Sequence, residues 1–258
     1  MLNILEGKKV IIMGLRNKWS IAWGAAQSAY ENGAQVIGTC AEGDFEKVSE
    51  LIKEIPGAKL YPNGDFGYDE NIEKLLKQIK EENGKVDGIL HAIAHAFTDD
   101  LRNDFVKTSR EGYAHACDIS SYSFVATARI AKELDMLNEG ASLVTYTYMG
   151  SEKAIEGYNV MGVAKAALES SVRYLAANLG RDGFRVNAIS AGPIKTLSAK
   201  GIKDFGTILN VVEERAALHK NVTPMQVGDA TSFLFSNLSS AITGEVIHVD
   251  NGYSIMGV

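Results

Sequence analysis

Short apolar runs and longer amphipathic segments follow one another along almost the whole chain. Apolar runs that are rich in β-branched residues and end at a glycine or a polar residue are typical of buried strands. Apolar residues at steps of three and four, closed by a glycine or a proline, are typical of helices that bury one face. The pattern predicts strands at residues 8–13, 34–39, 59–61, 86–92, 142–147, 185–189 and 245–249. It predicts helices at residues 21–30, 46–54, 69–82, 109–137, 158–179 and 224–238.

The alternation of strand and helix predicts βαβ units, and hence a parallel sheet covered by helices on both faces. We therefore expect an α/β fold with a Rossmann-type doubly wound parallel sheet. Composition shifts nowhere enough to divide the chain, so residues 1–258 are predicted to form a single domain. Residues 195–220 interrupt the rhythm after a strand that should end at the ligand-binding edge of the sheet, and they are the candidate substrate lid. A plain surface excursion is the alternative.

Composition and charge narrow the classes of partner. The 258 residues are 46% hydrophobic and 22% charged, as in an ordinary globular protein, and the formal net charge is −6 with no basic stripe. We therefore expect no nucleic-acid partner, and no membrane association because no apolar run is long enough to span a bilayer. Cys40 and Cys117 form neither a disulfide framework nor a zinc-ligand spacing, which favours a reducing, cytoplasmic location. The five histidines form no close ligand pair, so no metal is assigned.

Gly14 ends the first predicted strand, and Ser20 precedes the first predicted helix. A dinucleotide needs a tight turn at this place, followed by a helix whose N-terminus faces the pyrophosphate. Gly14 can supply the turn, and Ser20 can cap the helix and donate to a phosphate. The segment lacks the G-x-G-x-x-G spacing, so an ordinary strand–helix loop is the alternative.

The residues after the second predicted strand bear on the choice of cofactor. A 2′-phosphate would favour Arg or Lys there, but Glu42 and Asp44 come first, and the nearest basic residue is Lys47. NADH is therefore favoured over NADPH, unless these acids are simply solvated loop residues. Asp65, after the third predicted strand, is a candidate acceptor for the adenine amino group, although an acid in a glycine-rich turn is also common for local reasons.

The helix predicted at residues 158–179 carries the sharpest chemical signal. Lys165 lies on its apolar face, where an ammonium is costly unless it is paired or serves a ligand. Tyr158 lies two turns earlier on nearly the same face, and Tyr148 follows the fifth predicted strand. The two tyrosines and the lysine are thus predicted to point toward one spot. In the alternative, Lys165 reaches the edge of the sheet and keeps its ammonium in water. The face comprises Met161, Lys165, Leu168, Val172, Leu175 and Leu179.

The pattern Tyr148-x9-Tyr158-x6-Lys165 resembles the signature of the bacterial NADH-dependent enoyl-acyl-carrier-protein reductases, a divergent branch of the short-chain dehydrogenase/reductase superfamily. Ordinary members of that superfamily place the tyrosine four residues before the lysine, where this chain has Met161. The resemblance covers essentially the whole chain. Further similar segments lie at residues 14–22, 118–123, 158–162, 185–194, 197–201 and 244–250.

The resemblance implies an enzyme that uses NADH to reduce the C2–C3 double bond of a trans-2-enoyl-acyl-carrier-protein, the last step of a round of fatty-acid elongation. Hydride would add at C3, and the catalytic hydroxyl of Tyr158 would stabilise the resulting enolate. Tyr148 would line the acyl site, and Ala96 would lie at the thioester end of the substrate. The implied partners are an acyl-carrier protein and three further copies of the chain in a homotetramer.

For the cofactor, the resemblance implies contacts from several loops. Gly14, Ser20 and Ile21 would hold the pyrophosphate, and Lys165 would bond the nicotinamide ribose. Asp65 and Phe66 would contact the adenine. Ile93 would contact the body of the cofactor after the fourth strand, and Ile194 and Thr196 would contact its carboxamide and phosphate side.

The chain also departs from the family pattern. His95 stands where relatives carry an aromatic or apolar residue, so we expect a more polar pocket and, if His95 faces the acyl site, activity that depends on pH near its ordinary pKa of about 6.5. Cys40 and Ala41 replace a tyrosine and a polar residue, which leaves the adenosine contact open. In the lid, Lys200 and Lys203 are candidates to meet an acidic carrier. Its apolar residues could wall an acyl tunnel or form an ordinary small helix: Ile202, Phe205, Ile208 and Leu209.

Two other functions fit parts of the pattern. A carbonyl or β-ketoacyl reductase of the same superfamily is the nearer one, and the spacing of Tyr158 and Lys165 together with Tyr148 argues against it. A non-catalytic nucleotide sensor on a Rossmann scaffold is the other. A sensor is expected to lose the tyrosine or the lysine, and both are present here.

Overall fold

The computed structural model describes residues 3–195 and 205–257, and for Phe205 only the backbone. Its described residues contain seven parallel strands in one sheet, ordered β3-β2-β1-β4-β5-β6-β7. The predictions for Thr196, Lys200, Ile202 and Lys203 lie outside the described residues. The strands are β1 Lys9–Met13, β2 Gln35–Ala41, β3 Lys59–Asn63, β4 Val86–His91, β5 Leu137–Thr147, β6 Arg185–Ala191 and β7 Val246–Val249.

Helices cover both faces of the sheet, as the alternating pattern predicts. They are α1 Ile21–Glu31, α2 Phe45–Leu51, α3 Asp69–Asn83, α4 Thr98–Arg102, α5 Arg110–Cys117, α6 Ser123–Glu133, α7 Val160–Leu179, α8 Phe205–Arg215 and α9 Pro224–Phe235. Within the described ranges, none of these helices has the length and hydrophobicity that crossing a bilayer requires.

Each face of the sheet has its own hydrophobic core, because successive side chains of a strand point to opposite faces. Ile11 in β1 joins the core formed with α3, α6 and α7, and its neighbour Ile12 joins the core formed with α1, α2 and α9. Strands buried on both faces appear in the sequence as continuous apolar runs, which is why they could be identified there. The Rossmann-type, doubly wound α/β fold is thereby confirmed.

The order of the strands reverses between β1 and β4. Residues Val10 to Met13 of β1 pair with β2 on one side and with β4 on the other, so the connections that follow β1 and β4 leave in opposite directions. A crevice opens at such a point, outside the carboxyl ends of the strands, and open α/β sheets bind their ligands there.

The single long helix predicted at residues 109–137 is wrong. The chain forms α5, a π-helical turn at Asp118–Tyr122 and then α6, and Leu137 already belongs to β5. Asp135 ends the helical segment by taking a left-handed φ of 49°. The apolar pattern continues without a break from α6 into β5, so sequence periodicity alone did not separate the two elements.

Two short helices were not predicted as such. The first, α4, lies between β4 and α5, and the second, α8, lies inside the segment that was predicted as a lid at residues 195–220. Of the lid residues named above, Ile208 and Leu209 lie in α8 and are partly buried, which agrees with the alternative of a small helix that packs on the domain.

Candidate active site

A cleft of about 510 Å³ lies at the carboxyl ends of β1, β4, β5 and β6, where the strand order reverses. It brings together nine of the predicted site residues from five separate segments of the chain. They are Gly14, Ser20, Ile21, Ile93, Ala96, Tyr148, Tyr158, Lys165 and Ile194. The sequence pattern places four of these segments directly after strands and places Tyr158 and Lys165 on the helix that follows the fifth strand. The parallel sheet brings these strand ends to one edge.

Asp65 and Phe66 do not line this cleft. Phe66 is buried in the core, with its ring edge-on to His91 at 6.3 Å between ring centroids. Asp65 is exposed, and its Oδ1 accepts a hydrogen bond of 2.9 Å from the backbone of Gly67. That bond belongs to a local turn, the alternative named for an acid in this place. Their contacts with adenine therefore stay predictions.

The loop between β1 and α1 has the form that a pyrophosphate requires. Gly14 has a φ of +89°, and a Cβ on it would lie 2.4 Å from the carbonyl oxygen of Ala92, so only glycine allows the two loops to approach. Ser20 caps α1 by accepting from the backbone of Trp23 at 3.2 Å, and its hydroxyl donates to the carbonyl of Asn17 at 2.8 Å. The positive end of α1 thus faces a space kept free of side chains by Gly14, and a dinucleotide fits this cradle.

A basic residue does reach the adenosine end of the cleft, contrary to the expectation that Lys47 is the nearest one. Arg16 lines the cleft, and its Nε lies 3.2 Å from Oδ2 of Asp44, just after β2. The pairing joins two loops that are distant in sequence. Nearby, Cys40 is fully buried, and burial together with Asp44 raises the pKa of its thiol to about 11, so the thiol stays protonated.

Lys165 does not hold its ammonium in water. The side chain is buried, and Nζ donates a 2.7 Å hydrogen bond to the carbonyl oxygen of Tyr146. Burial lowers the pKa of Lys165 to about 8, and the carboxylate of Glu169 opposes that shift. The lysine is therefore a cation at neutral pH, held at the wall of the cleft by a strand carbonyl.

Glu169 and His91 surround Lys165 and were missed by the sequence analysis. Glu169 is buried one turn after Lys165 on α7, and its Oε1 accepts a 2.5 Å hydrogen bond from the hydroxyl of Thr147. The spacing of four residues was the available signal for this charge pair. His91 lies 2.8 Å from the hydroxyl of Ser123, and burial, reinforced by the Lys165 charge, lowers its pKa to about 3. It is thus neutral at physiological pH.

Tyr148 and Tyr158 stand together at the wall of the cleft, with their rings edge to face and 4.9 Å between centroids. Gly150 makes room for the Tyr158 ring, since a Cβ there would lie 2.4 Å from its Cδ1. Burial raises the pKa of Tyr158 far above its ordinary value, with smaller contributions from Tyr148 and Glu169. Burial likewise raises the pKa of Tyr148 to about 12. Both hydroxyls therefore stay neutral and can donate a hydrogen bond.

His95 lines the cleft and forms a pair with His115 on α5. The His95 Nδ1 lies 2.7 Å from the His115 Nε2, and Phe97 stacks on the His115 ring at 4.4 Å between centroids. Burial, His115 and Arg16 lower the pKa of His95, while Asp65 opposes them. His95 is therefore neutral at pH 7 and becomes charged only below its ordinary range.

Acidification is expected to weaken the use of an apolar substrate through His95. Protonation places a cation at the cleft wall, so kcat/KM should fall by about threefold or more once the pH is well below the ordinary histidine pKa of about 6.5. In His95→Phe this acid loss should be smaller, whereas His248→Asn, which changes an exposed residue of β7, should keep the wild-type profile. Parallel acid limbs for wild type and His95→Phe would show that another group is responsible.

Comparison with known proteins gives similar chains over the full length. The family model described as enoyl-(acyl carrier protein) reductase matches residues 14–254. The enoyl-acyl-carrier-protein reductase (NADH) of Bacillus cereus is 48% identical over 99% of this chain and 100% of its own. The enoyl-acyl-carrier-protein reductase (NADPH) of Staphylococcus aureus is 49% identical over 98% of each chain. The crystal structure of the Bacillus cereus enzyme with NADP+ and indole naphthyridinone superposes with a TM-score of 0.95 at 48% identity, covering 99% of both chains.

Proposed function

Because this chain belongs to the enoyl-acyl-carrier-protein reductase family, we propose that its cleft reduces the C2–C3 double bond of a trans-2-enoyl-acyl-carrier-protein with NADH. The observation that carries the proposal is the meeting of Tyr148, Tyr158 and Lys165 in one cleft beside the Gly14 turn. A reducing cofactor and a linear acyl thioester can approach each other there. The enzyme is an oxidoreductase of fatty-acid synthesis.

Tyr158 is proposed to hold the charge that develops on the substrate. When bound, NADH would supply the hydride for C3 of the substrate, and the electrons of the double bond would move onto the thioester oxygen as an enolate. The hydroxyl of Tyr158 is neutral because burial raises its pKa, so it can donate a hydrogen bond to that oxygen. Addition of a proton at C2 then completes the saturated chain. Tyr148, packed against the Tyr158 ring, lines the acyl side.

Lys165 is proposed to hold the nicotinamide ribose. Its ammonium has one hydrogen bond to the Tyr146 carbonyl and further N–H donors for the ribose hydroxyls. The positive charge of Lys165 would also stabilise the negative charge of the enolate, which forms on the same side of the cleft as the Tyr158 hydroxyl. The remaining proposed cofactor contacts are Gly14, Ser20, Ile21, Ile93, Ile194, Asp65, Phe66 and Thr196, the last outside the described residues.

The preference for NADH over NADPH is supported by the Arg16–Asp44 ion pair. Asp44 occupies the guanidinium of Arg16 and adds a negative charge where a 2′-phosphate would come. Curated relatives of nearly equal identity are named for NADH and for NADPH, so overall identity does not decide between the two cofactors.

Removal of the Asp44 carboxylate should relax this preference. In Asp44→Ala, Arg16 becomes free to pair with a phosphate, so the ratio of kcat/KM with NADPH to that with NADH should rise by about tenfold. The ratio is measured by the loss of reduced nicotinamide absorbance with each cofactor. Glu50→Ala, which removes an acid that pairs with Lys53 elsewhere on α2, should leave it unchanged. An unchanged ratio in Asp44→Ala would mean that Asp44 does not exclude the 2′-phosphate.

Three further features belong to the proposal. Residues 195–220, which include α8, are proposed to form the substrate lid of a single domain spanning residues 1–258.

The partners are proposed to be an acyl-carrier protein and, in a homotetramer, further copies of the chain. The exposed Tyr113, Tyr122 and Tyr174 on and near α5 and α7 support a self-association surface. The free thiols of Cys40 and Cys117 support a cytoplasmic location.

Matched thioesters test the reaction class. The protein is supplied with NADH and either a trans-2-enoyl or a 3-ketoacyl thioester of the same chain length, and oxidation of NADH is followed. Oxidation with the enoyl substrate is expected. Oxidation with the ketoacyl substrate alone would instead favour the β-ketoacyl reductase, and tight NADH binding without turnover on either would favour the nucleotide sensor.

A further inference from the structure

Asn159, directly after Tyr158, has an unusual backbone conformation. Its φ is 43° and its ψ is −119°, and it forms the cap at the N-terminus of α7. Positive φ is unfavourable for any residue with a Cβ, and with ψ at −119° Asn159 lies outside the left-handed helical region that asparagine tolerates, so its backbone is strained. Residues held in such conformations are found where the surrounding structure requires them, often at functional sites.

The backbone turn at Asn159 determines how Tyr158 is presented. The Tyr158 N–H donates to the carbonyl of Ile155 at 3.1 Å, and the Tyr158 carbonyl accepts from Met161 at 3.0 Å. Asn159 lies between these two bonds and joins the preceding turn to the first turn of α7, where its own carbonyl accepts from Gly162 at 2.9 Å. A change of φ at residue 159 therefore changes the direction of the Tyr158 ring relative to α7.

The side chain of Asn159 makes a second connection. Its Nδ2 donates to the carbonyl of Leu101 at 2.9 Å and to the carbonyl of Asn103 at 2.7 Å. These carbonyls lie at the C-terminal end of α4, where the carbonyl groups of a helix have no N–H partners within the helix itself. Both N–H groups of one amide thus cap α4 from the helix that carries Tyr158 and Lys165.

The helix α4 forms one wall of the cleft. Leu101 lines the cleft and packs in a small apolar cluster with Val160 and Met161 of α7. At its other side, α4 is held through Asp100, which accepts from the backbone of Ser109 at 2.8 Å. The Asn159 amide is thus a polar link between this wall and α7.

We propose that Asn159 is a positioning residue: its positive-φ backbone aims Tyr158, and its amide fixes the α4 wall at a set distance from the Tyr158 hydroxyl. The inference rests on the proposed function of the cleft. The backbone role acts on the chemical step, because a displaced donor stabilises the enolate less. The capping role acts on substrate binding, most for long acyl chains, which need a fixed wall.

Three variants separate the two roles. Asn159→Gly keeps the backbone conformation but loses the amide, and Asn159→Asp keeps the shape but sets a carboxylate against two carbonyl oxygens. Asn159→Ala loses the amide and also disfavours the backbone. Asp135→Ala is the matched control, because Asp135 has a similar φ of 49° and lies before β5, at the edge of the sheet opposite the cleft.

The measurements are kcat and KM with crotonyl and dodecenoyl thioesters, and the NADH dissociation constant from fluorescence. In Asn159→Gly and Asn159→Asp, KM for the dodecenoyl substrate should rise by about fivefold, with a smaller rise for crotonyl. In Asn159→Ala, kcat should also fall by about tenfold or more. The NADH dissociation constant should stay within about twofold in all variants, because Lys165 and Gly14 are untouched. Asp135→Ala should behave as wild type.

Wild-type kcat and KM in both Asn159→Gly and Asn159→Ala would overturn the proposal. A parallel decrease of kcat, NADH affinity and melting temperature, together with a higher KM for both substrates, would also overturn the proposal, since that is the behaviour of a merely structural residue. If Asn159→Ala fails to fold, the chain-length dependence of KM in the glycine and aspartate variants decides. A wild-type protein that turns over no enoyl thioester would instead contradict the proposed function.

Discussion

Tyr158→Phe should lower kcat with an enoyl thioester by about 100-fold or more, because removal of one donor to a developing oxyanion costs that much in comparable sites. The phenyl ring keeps the packing against Tyr148 and Gly150, so the fold and the cleft should persist. The NADH dissociation constant should stay within about twofold, since the lost hydroxyl acts on the substrate. Steady-state kinetics and fluorescence titration measure the two quantities.

Two further observations sharpen this test. Tyr30→Phe, which changes an exposed tyrosine of α1, should leave kcat unchanged and serves as the control. Because burial raises the pKa of Tyr158 so far, no basic loss of activity from its ionisation is expected at or below pH 10. A full rate in Tyr158→Phe would remove this hydroxyl from the mechanism and would transfer the role of donor to another group in the cleft.

Lys165→Ala should weaken NADH binding by about tenfold or more, because it removes the ammonium that we propose bonds the ribose. The pKa of Lys165 is lowered to about 8, so its charge is present below pH 8 and is lost as the pH rises through that value. In the wild type, the NADH dissociation constant should therefore increase between pH 7 and pH 9. Lys165→Ala should lack this increase.

Lys165→Arg and the melting temperature control for structure. The arginine keeps a cation opposite Glu169 and should retain part of the NADH affinity, whereas Lys165→Ala leaves the Glu169 carboxylate buried without its cation. The dissociation constant is taken from fluorescence titration at each pH, on protein shown to be folded. Unchanged NADH affinity in a folded Lys165→Ala protein would place Lys165 outside the cofactor site.

The fold was predictable because its main signals are local. Each strand buried on both faces is an apolar run, and the helices between them show their apolar faces at steps of three and four, so the doubly wound sheet follows from pattern alone. The boundary errors arose where a backbone conformation interrupts a continuous pattern. Asp135 ends α6 with a φ of 49°, and Asn159, with a φ of 43° and a ψ of −119°, delays the start of α7 to Val160.

The meeting of Tyr148, Tyr158 and Lys165 in one cleft was predictable, because the three residues lie in a recognisable spacing. Their supporting groups depend on tertiary contacts. Arg16 meets Asp44 only when the loops after β1 and β2 come together at the sheet edge. The amide of Asn159 reaches the carbonyls of α4, which lies on the far side of α5 and α6 in sequence. Such contacts between distant segments leave no periodic signal in the chain.

Transfer of deuterium distinguishes reduction of the C2–C3 double bond from reduction of a ketone. The protein is mixed with a trans-2-enoyl thioester and NADH that carries deuterium in both positions at C4 of the nicotinamide, and the acyl product is analysed by mass spectrometry and NMR. We expect a saturated acyl chain with deuterium at C3 and solvent-derived hydrogen at C2. A 3-hydroxyacyl product from the matched 3-ketoacyl thioester, with the enoyl thioester recovered unchanged and without deuterium, would contradict the proposed reduction of the double bond.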